Sequence, residues 1–77
     1  MIELYQLEHL LAIAKYKTMT KAAQELHLSQ SALSRSVQRL EDDLQVTLFE
    51  RQKNRVALNS NGELAVEYAK KVESFQS

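Results

Sequence analysis

At 77 residues the chain has room for one small domain, and a domain of this size buries only about 60% of its unfolded surface, so an oligomeric partner would help its stability. Ten Lys and Arg against ten Asp and Glu leave no net charge, which counts against nucleic-acid binding, while 44% hydrophobic residues exclude a disordered chain. No Cys, no Pro and one Gly exclude a disulfide framework, a thiolate metal site, a flexible linker and a glycine-rich phosphate loop.

The first predicted element is an amphipathic helix over 3–16, from Leu4, Leu7, Leu11 and Ala14 at helical spacing, flanked by Leu10 and Ile13. No apolar run here or later approaches the about 18 residues of a membrane span. The N-terminus lacks the features of a signal peptide, so a cytoplasmic location is expected. Lys17-Thr18-Met19-Thr20 interrupts the pattern, and Thr18 or Thr20 can cap a short helix from Lys21 to Leu26. Ala22-Ala23 would let that helix approach a neighbour closely. His27-Leu28 reads as a brief turn, with Ser29 as the next N-cap.

The third helix, over 30–43, has the clearest stripe, Leu33, Val37, Leu40 and Leu44, with Ser31, Ser34, Arg35 and Gln38 on the opposite face. Leu48-Phe49-Glu50-Arg51 and Val56-Ala57-Leu58 are short extended segments. The polar Gln52-Lys53-Asn54-Arg55 between them suggests a hairpin. Asn59 or Ser60 caps a last helix, and Ser60 with Glu63 has the spacing of a capping box. Leu64, Tyr68, Val72 and Phe75 line one side of it, more than so small a core can cover, which favours a subunit contact. The expected fold is mainly α: a winged helix-turn-helix of three helices and a two-stranded wing over 1–58, then the start of a long linker helix over 59–77.

Gln30, Ser31, Ser34, Arg35 and Gln38 have the chemistry of a helix in the DNA major groove. Gln can pair with adenine and Arg with guanine, and small Ser residues let the helix approach the bases. A solvated polar face is the alternative. Arg51, Lys53 and Arg55 would suit phosphates or a narrow minor groove, or else protect a strand edge by charge. Glu41-Asp42-Asp43 reads as a solvated charge run. His9 and His27 have neither metal-ligand spacing nor a nucleophile beside them, so no enzyme and no metal site is expected. A protein-interaction module with a degenerate helix-turn-helix stays open as a second reading.

Three stretches in register resemble the N-terminal DNA-binding domain of LysR-type transcriptional regulators. Thr18-Met19-Thr20-Lys21-Ala22-Ala23-Gln24-Glu25-Leu26 is similar to Ser-Phe-Thr-x-Ala-Ala-x-x-Leu. Leu28-Ser29-Gln30-Ser31-Ala32-Leu33-Ser34-Arg35, running on to Leu40-Glu41-Asp42-Asp43-Leu44, resembles Ser-Gln-Pro-Ala-Val-Ser-Arg and Leu-Glu-x-x-Leu. Leu48-Phe49-Glu50-Arg51, then Val56-Ala57-Leu58-Asn59 to Gly62, resembles Leu-Phe-x-Arg and x-Leu-Thr-x-x-Gly.

The resemblance implies sequence-specific double-stranded DNA binding as a homodimer, often tetrameric, with the fourth helix as dimerisation linker. Base contacts fall to positions matching Gln30, Ser31, Ser34 and Arg35, backbone or minor-groove contacts to Arg51 and Arg55, and a phosphate to Thr18. No cofactor is implied. A small-molecule effector would act through a C-terminal sensing domain of periplasmic-binding type, which this stretch does not include, so the chain is expected to be a piece of a longer regulator. Lys17 and Gln45 stand where Gly is common, Ser31 where Pro is frequent, and Asn59 where Thr is usual.

Segment by segment, neutrality is a sum of separated patches. Residues 29–40 carry two cations and no acid, 51–58 three cations and no acid, and 41–50 four acids and no cation. Non-specific affinity per monomer should therefore be modest, which makes dimerisation more necessary.

Overall fold

The helices begin where a side chain can satisfy backbone N–H groups that have no partner within the helix. Gln6 Oε1 accepts from Glu3 N–H at 2.6 Å, Thr18 Oγ1 from Lys21 N–H at 3.1 Å, Ser29 Oγ from Ala32 N–H at 3.0 Å, and Asn59 Oδ1 from Gly62 N–H at 2.8 Å. Each cap is worth about 1 kcal/mol. The last helix is therefore capped by Asn59, and Ser60 is its first residue. The capping box expected at Ser60 and Glu63 does not form, because Asn59 reaches the free N–H one residue earlier.

Those starts define the elements of the computed structural model, which describes residues 2–52 and 55–76. In chain order they are α1 (Leu4–Tyr16), α2 (Met19–Leu26), α3 (Gln30–Leu44), β1 (Phe49–Gln52), β2 (Arg55–Leu58) and α4 (Ser60–Gln76). Among the described residues this is the mainly helical, winged arrangement expected, with β1 and β2 as one antiparallel hairpin, Arg51 opposite Val56 and Gln52 opposite Arg55.

Three helices stop on a residue with positive φ that is not glycine: Lys17 (66°), His27 (58°) and Gln45 (60°). His27 N–H and Leu28 N–H bond back to Gln24 and Ala23 carbonyls, and Gln45 N–H and Val46 N–H to Asp42 and Glu41. These paired bonds satisfy carbonyls that the helix end would otherwise leave open. A side chain in the left-handed region costs about 1 kcal/mol at each stop. Lys17 and Gln45 were the positions where Gly is common; His27 gives no such signal in sequence.

The core has two lobes. Leu7, Leu10, Leu40, Leu48, Val66 and Ala69 form one, joining α1, α3 and α4. Ile13, Ala22, Ala23, Leu33, Val37 and Val56 form the other, joining α1, α2, α3 and β2. Phe49 packs partly against both. Fully burying a Leu, Ile or Val stabilises by about 1.5–3 kcal/mol, and Leu10, Ile13, Leu33, Leu40, Leu48 and Val37 are all sealed from solvent. Ala22 and Ala23 are buried, as a close helix approach requires.

Two apolar stripes differ from expectation. On α1 the buried residues are Gln6, Leu7, Leu10 and Ile13, so the inward face is rotated from Leu4, Leu7, Leu11 and Ala14. Leu4 is exposed, and the buried Gln6 is tolerated because it serves the Glu3 N–H. On α3, Leu33, Val37 and Leu40 are buried but Leu44 is exposed, since the chain leaves the helix there. The acidic run also differs. Glu41 Oε2 accepts from Leu48 N–H at 2.7 Å and so ties the end of α3 to the start of the hairpin.

α1 and α3 are further joined by a 2.7 Å hydrogen bond between His9 Nδ1 and the buried Ser36 Oγ. Tyr5 sits edge-on to the His9 ring at 5.5 Å. Burial lowers the His9 pKa from its ordinary 6.5, against a smaller upward pull from Glu8. Arg39 and Asp42 border the same groove from α3. The folded state thus favours neutral His9, and stability falls as pH drops through 6.5 towards the lower folded value. A His9→Asn variant should show a flatter fall in urea midpoint between about pH 7 and about pH 5. Equal falls in the two proteins would rule out His9 as the source.

Candidate nucleic-acid interface

With about 3.6 residues per turn, burial of Leu33, Val37 and Leu40 fixes which way the rest of α3 points. Ser31, Arg35 and Gln38 fall on the side away from the core and are exposed. Gln30 is exposed at the first position of the helix, beside the Ser29 cap, and Ser34 is half-buried on the flank facing the wing. Five of the residues named from sequence therefore share one outward region of one helix.

Their engagements differ. Gln38 Nε2 donates to Asp42 Oδ1 at 3.1 Å along its own helix, which leaves its second amide N–H and its carbonyl oxygen for other partners. Ser34 Oγ accepts from Arg51 Nη2 at 3.0 Å. Arg35 is exposed, and Arg39, which was not among the sequence-derived site residues, is exposed one turn further on, on the side facing α1. Its i+4 spacing from Arg35 is the signal that could have found it.

Among the described residues, the wing cations Arg51 and Arg55 project from opposite faces of the hairpin. Residues opposite each other in an antiparallel pair project from the same face. Arg51 is paired with Val56, which is buried, so Arg51 projects towards the body of the domain and meets Ser34. Arg55 is paired with Gln52 on the other face, and both are exposed. Lys53 lies outside the described residues. The wing is fixed to the domain by Val56 N–H, which donates to Lys17 carbonyl at 3.1 Å.

Thr18 caps α2 through its hydroxyl oxygen, beside that same Lys17 carbonyl. Its oxygen is already an acceptor, so any contact it makes to a phosphate must use its O–H. Lys21 pairs with Glu25 at 3.6 Å, an exposed pair worth little.

Leu64 and Tyr68 on α4 are 66% and 61% exposed, and Phe75 is 91% exposed. Val72 is half-buried against the first core lobe. The four residues named for a subunit contact thus include three large apolar side chains that this chain does not cover. Among the described residues, no group of His, Cys, Asp or Glu could hold a metal ion, and no helix is long and apolar enough to cross a membrane.

Known proteins share both sequence and geometry. The family model described as "Bacterial regulatory helix-turn-helix protein, lysR family" matches residues 4–63. A probable RuBisCO transcriptional regulator of Phaeodactylum tricornutum is 39% identical over 69 residues, covering 90% of this chain and 22% of the relative. An SDS degradation transcriptional activation protein of a Pseudomonas species is 40% identical over 72 residues, 94% of this chain and 24% of the relative. Among solved structures, a CbnR DNA-binding-domain complex with DNA superposes with a TM-score of 0.94 at 35% identity, covering 97% of this chain and 86% of the other. A complex of the BenM DNA-binding domain with benA site 1 DNA gives 0.89 at 36% identity, covering 95% of this chain and 82% of the other. The chain spans about a quarter or less of the curated relatives it matches, 22–24% of their length.

Proposed function

The chain belongs to the lysR family of bacterial regulatory helix-turn-helix proteins, and from that premise we propose that it binds a specific double-stranded DNA sequence as one half of a dimer and so directs transcription in the cytoplasm. The observation that carries this reading is the outward region of α3. Gln30, Ser31, Ser34, Arg35 and Gln38 lie there together, with no acid between residues 29 and 40. Gln30, Ser31, Ser34 and Arg35 take the base edges, Gln38 joins them through the amide groups that Asp42 leaves open, and Thr18 donates to a phosphate. Arg55, with Lys53, meets the backbone or minor groove from the wing.

In this reading residues 1–58 form the DNA-binding unit and 59–77 begin the linker helix, whose exposed Leu64, Tyr68 and Phe75, with Val72, meet a second copy. A dimer places two such helices on an inverted repeat. Tetramers and a small-molecule effector would belong to a longer protein that carries this domain.

Selection of genomic fragments by this chain at two salt concentrations tests the reading. Enrichment of one inverted-repeat sequence, weakening with salt, is expected; no salt-dependent binding to any fragment would remove the proposal. Within it, Arg35→Ala should weaken specific binding by about 1–3 kcal/mol and relax the preference at one base position, whereas Arg55→Ala should weaken all sequences alike and reduce the salt slope by about one. Equal effects of the two substitutions on base preference would contradict the division between helix and wing.

A further inference from the structure

We propose that Lys17 is a further DNA contact of this chain: its ammonium meets a backbone phosphate beside the one that Thr18 meets, and its backbone is held there at a cost in fold stability. The inference rests on the reading of the chain as a duplex-binding domain and adds to that interface a residue with an energetic signature of its own.

The backbone of Lys17 is engaged on both sides. Its N–H donates to the Ile13 carbonyl at 2.8 Å and closes α1, and its carbonyl accepts from Val56 N–H at 3.1 Å. The residue is therefore pinned between the Thr18 cap of α2 and β2, where the exposed Arg55 precedes Val56. Its φ is 66°, in the left-handed region where a Cβ crowds the following carbonyl oxygen and glycine sits without that crowding.

The fold makes no use of the ammonium. Lys17 is exposed, and among the described residues its side chain has neither a hydrogen bond nor an ion pair. The lysines on either side are engaged, Lys15 over the Tyr16 ring at 5.3 Å and Lys21 with Glu25 at 3.6 Å. No acid occurs from residue 9 to residue 24, so no carboxylate of the same stretch competes for the charge. Of the three left-handed helix stops, at Lys17, His27 and Gln45, only Lys17 has a side chain that is fully charged at neutral pH.

A lysine carries a point charge on a flexible stem and binds phosphate without needing a fixed fork geometry. Beside the Thr18 hydroxyl it suits a phosphate diester. Such contacts hold a duplex without reading its sequence. A purely structural role predicts the opposite sign in stability, because removing a side chain that held the turn together would weaken the fold.

Three variants of this chain separate charge from strain. Lys17→Gln keeps the left-handed side chain and removes the cation. It should weaken binding to every duplex, lower the slope of log affinity against log salt by about 0.9 per bound chain, and leave the thermal midpoint in place. Lys17→Gly removes cation and crowding together. It should weaken binding in the same way while raising the midpoint by about 4–8 °C. Lys17→Arg should keep both slope and midpoint. Base preference in a randomised duplex pool should be the same in all four proteins. The proposal is overturned if Lys17→Gln keeps the unaltered salt slope, since the ammonium then stays in solvent. It is equally overturned if Lys17→Gly melts below the unaltered chain, since the side chain then supports the turn, or if either variant changes preference at one base position. Absence of duplex binding by the unaltered chain would overturn the underlying reading and this inference with it, an outcome distinct from the others, in which binding persists.

Discussion

A Gly62→Ala substitution is expected to destabilise the domain by about 3 kcal/mol, lowering its thermal midpoint by roughly 12–24 °C. Gly62 is buried in the first turn of α4. A Cβ there would collide with the Leu48 carbonyl oxygen and come within 2.8 Å of Leu58 Cδ2. The obstacle is backbone, so no change of rotamer removes it. Nor can the turn simply back away. Asn59 N–H donates to that same Leu48 carbonyl at 3.0 Å, and Gly62 N–H donates to Asn59 Oδ1. Relief of the clash therefore breaks the cap of α4 or separates α4 from the hairpin. Calorimetry on the purified variant checks this, and a midpoint within about 4 °C of the unaltered chain would contradict it.

The second large effect is expected at Leu33, where truncation to Ala should cost about 2–5 kcal/mol. Leu33 is sealed from solvent on the inner side of the helix that carries Ser31, Ser34 and Arg35 outward. Ala22 and Ala23 in the same lobe have no length with which to fill the vacated space, so most of the cavity should persist. Urea unfolding measures the cost. Apparent DNA affinity should fall with the folded fraction, whereas Ser31→Ala should change affinity and leave the urea midpoint in place. A cost below about 1 kcal/mol for Leu33→Ala would show that the lobe can collapse around the gap.

The ease of reading Leu33 and the difficulty of reading α1 share a cause. On α3 the buried Leu33, Val37 and Leu40 alternate with Ser and Arg, so only one face can be apolar. On α1 apolar residues sit at positions 4, 7, 10, 11 and 13, and several rotations of the helix bury as many of them. The true rotation also buries Gln6, which periodicity places outside. Its burial is tolerated because its amide oxygen accepts from the Glu3 N–H, a local bond that hydrophobic pattern does not encode.

The outward region of α3 was legible by elimination, once the stripe beneath it was recognised. The wing was legible only as a cluster of cations. Its division into an inward Arg51 and an outward Arg55 depends on strand register, which follows from Val56 packing into the core and from its bond to Lys17. Long-range pairs such as His9 with Ser36, or Glu41 with the Leu48 N–H, leave no local trace, because each residue alone is an ordinary polar position on a helix.

The three left-handed helix stops at Lys17, His27 and Gln45 bear on how long a protein carrying this domain survives. Each side chain there gives up about 1 kcal/mol that glycine would not, and for a domain holding only about 5 kcal/mol in total each raises the unfolded fraction about fivefold. Proteases draw on that fraction, and differences of about 1–2 kcal/mol shift steady-state abundance several-fold. The cellular concentration of a protein carrying this domain should therefore depend in part on the chemistry of three helix ends.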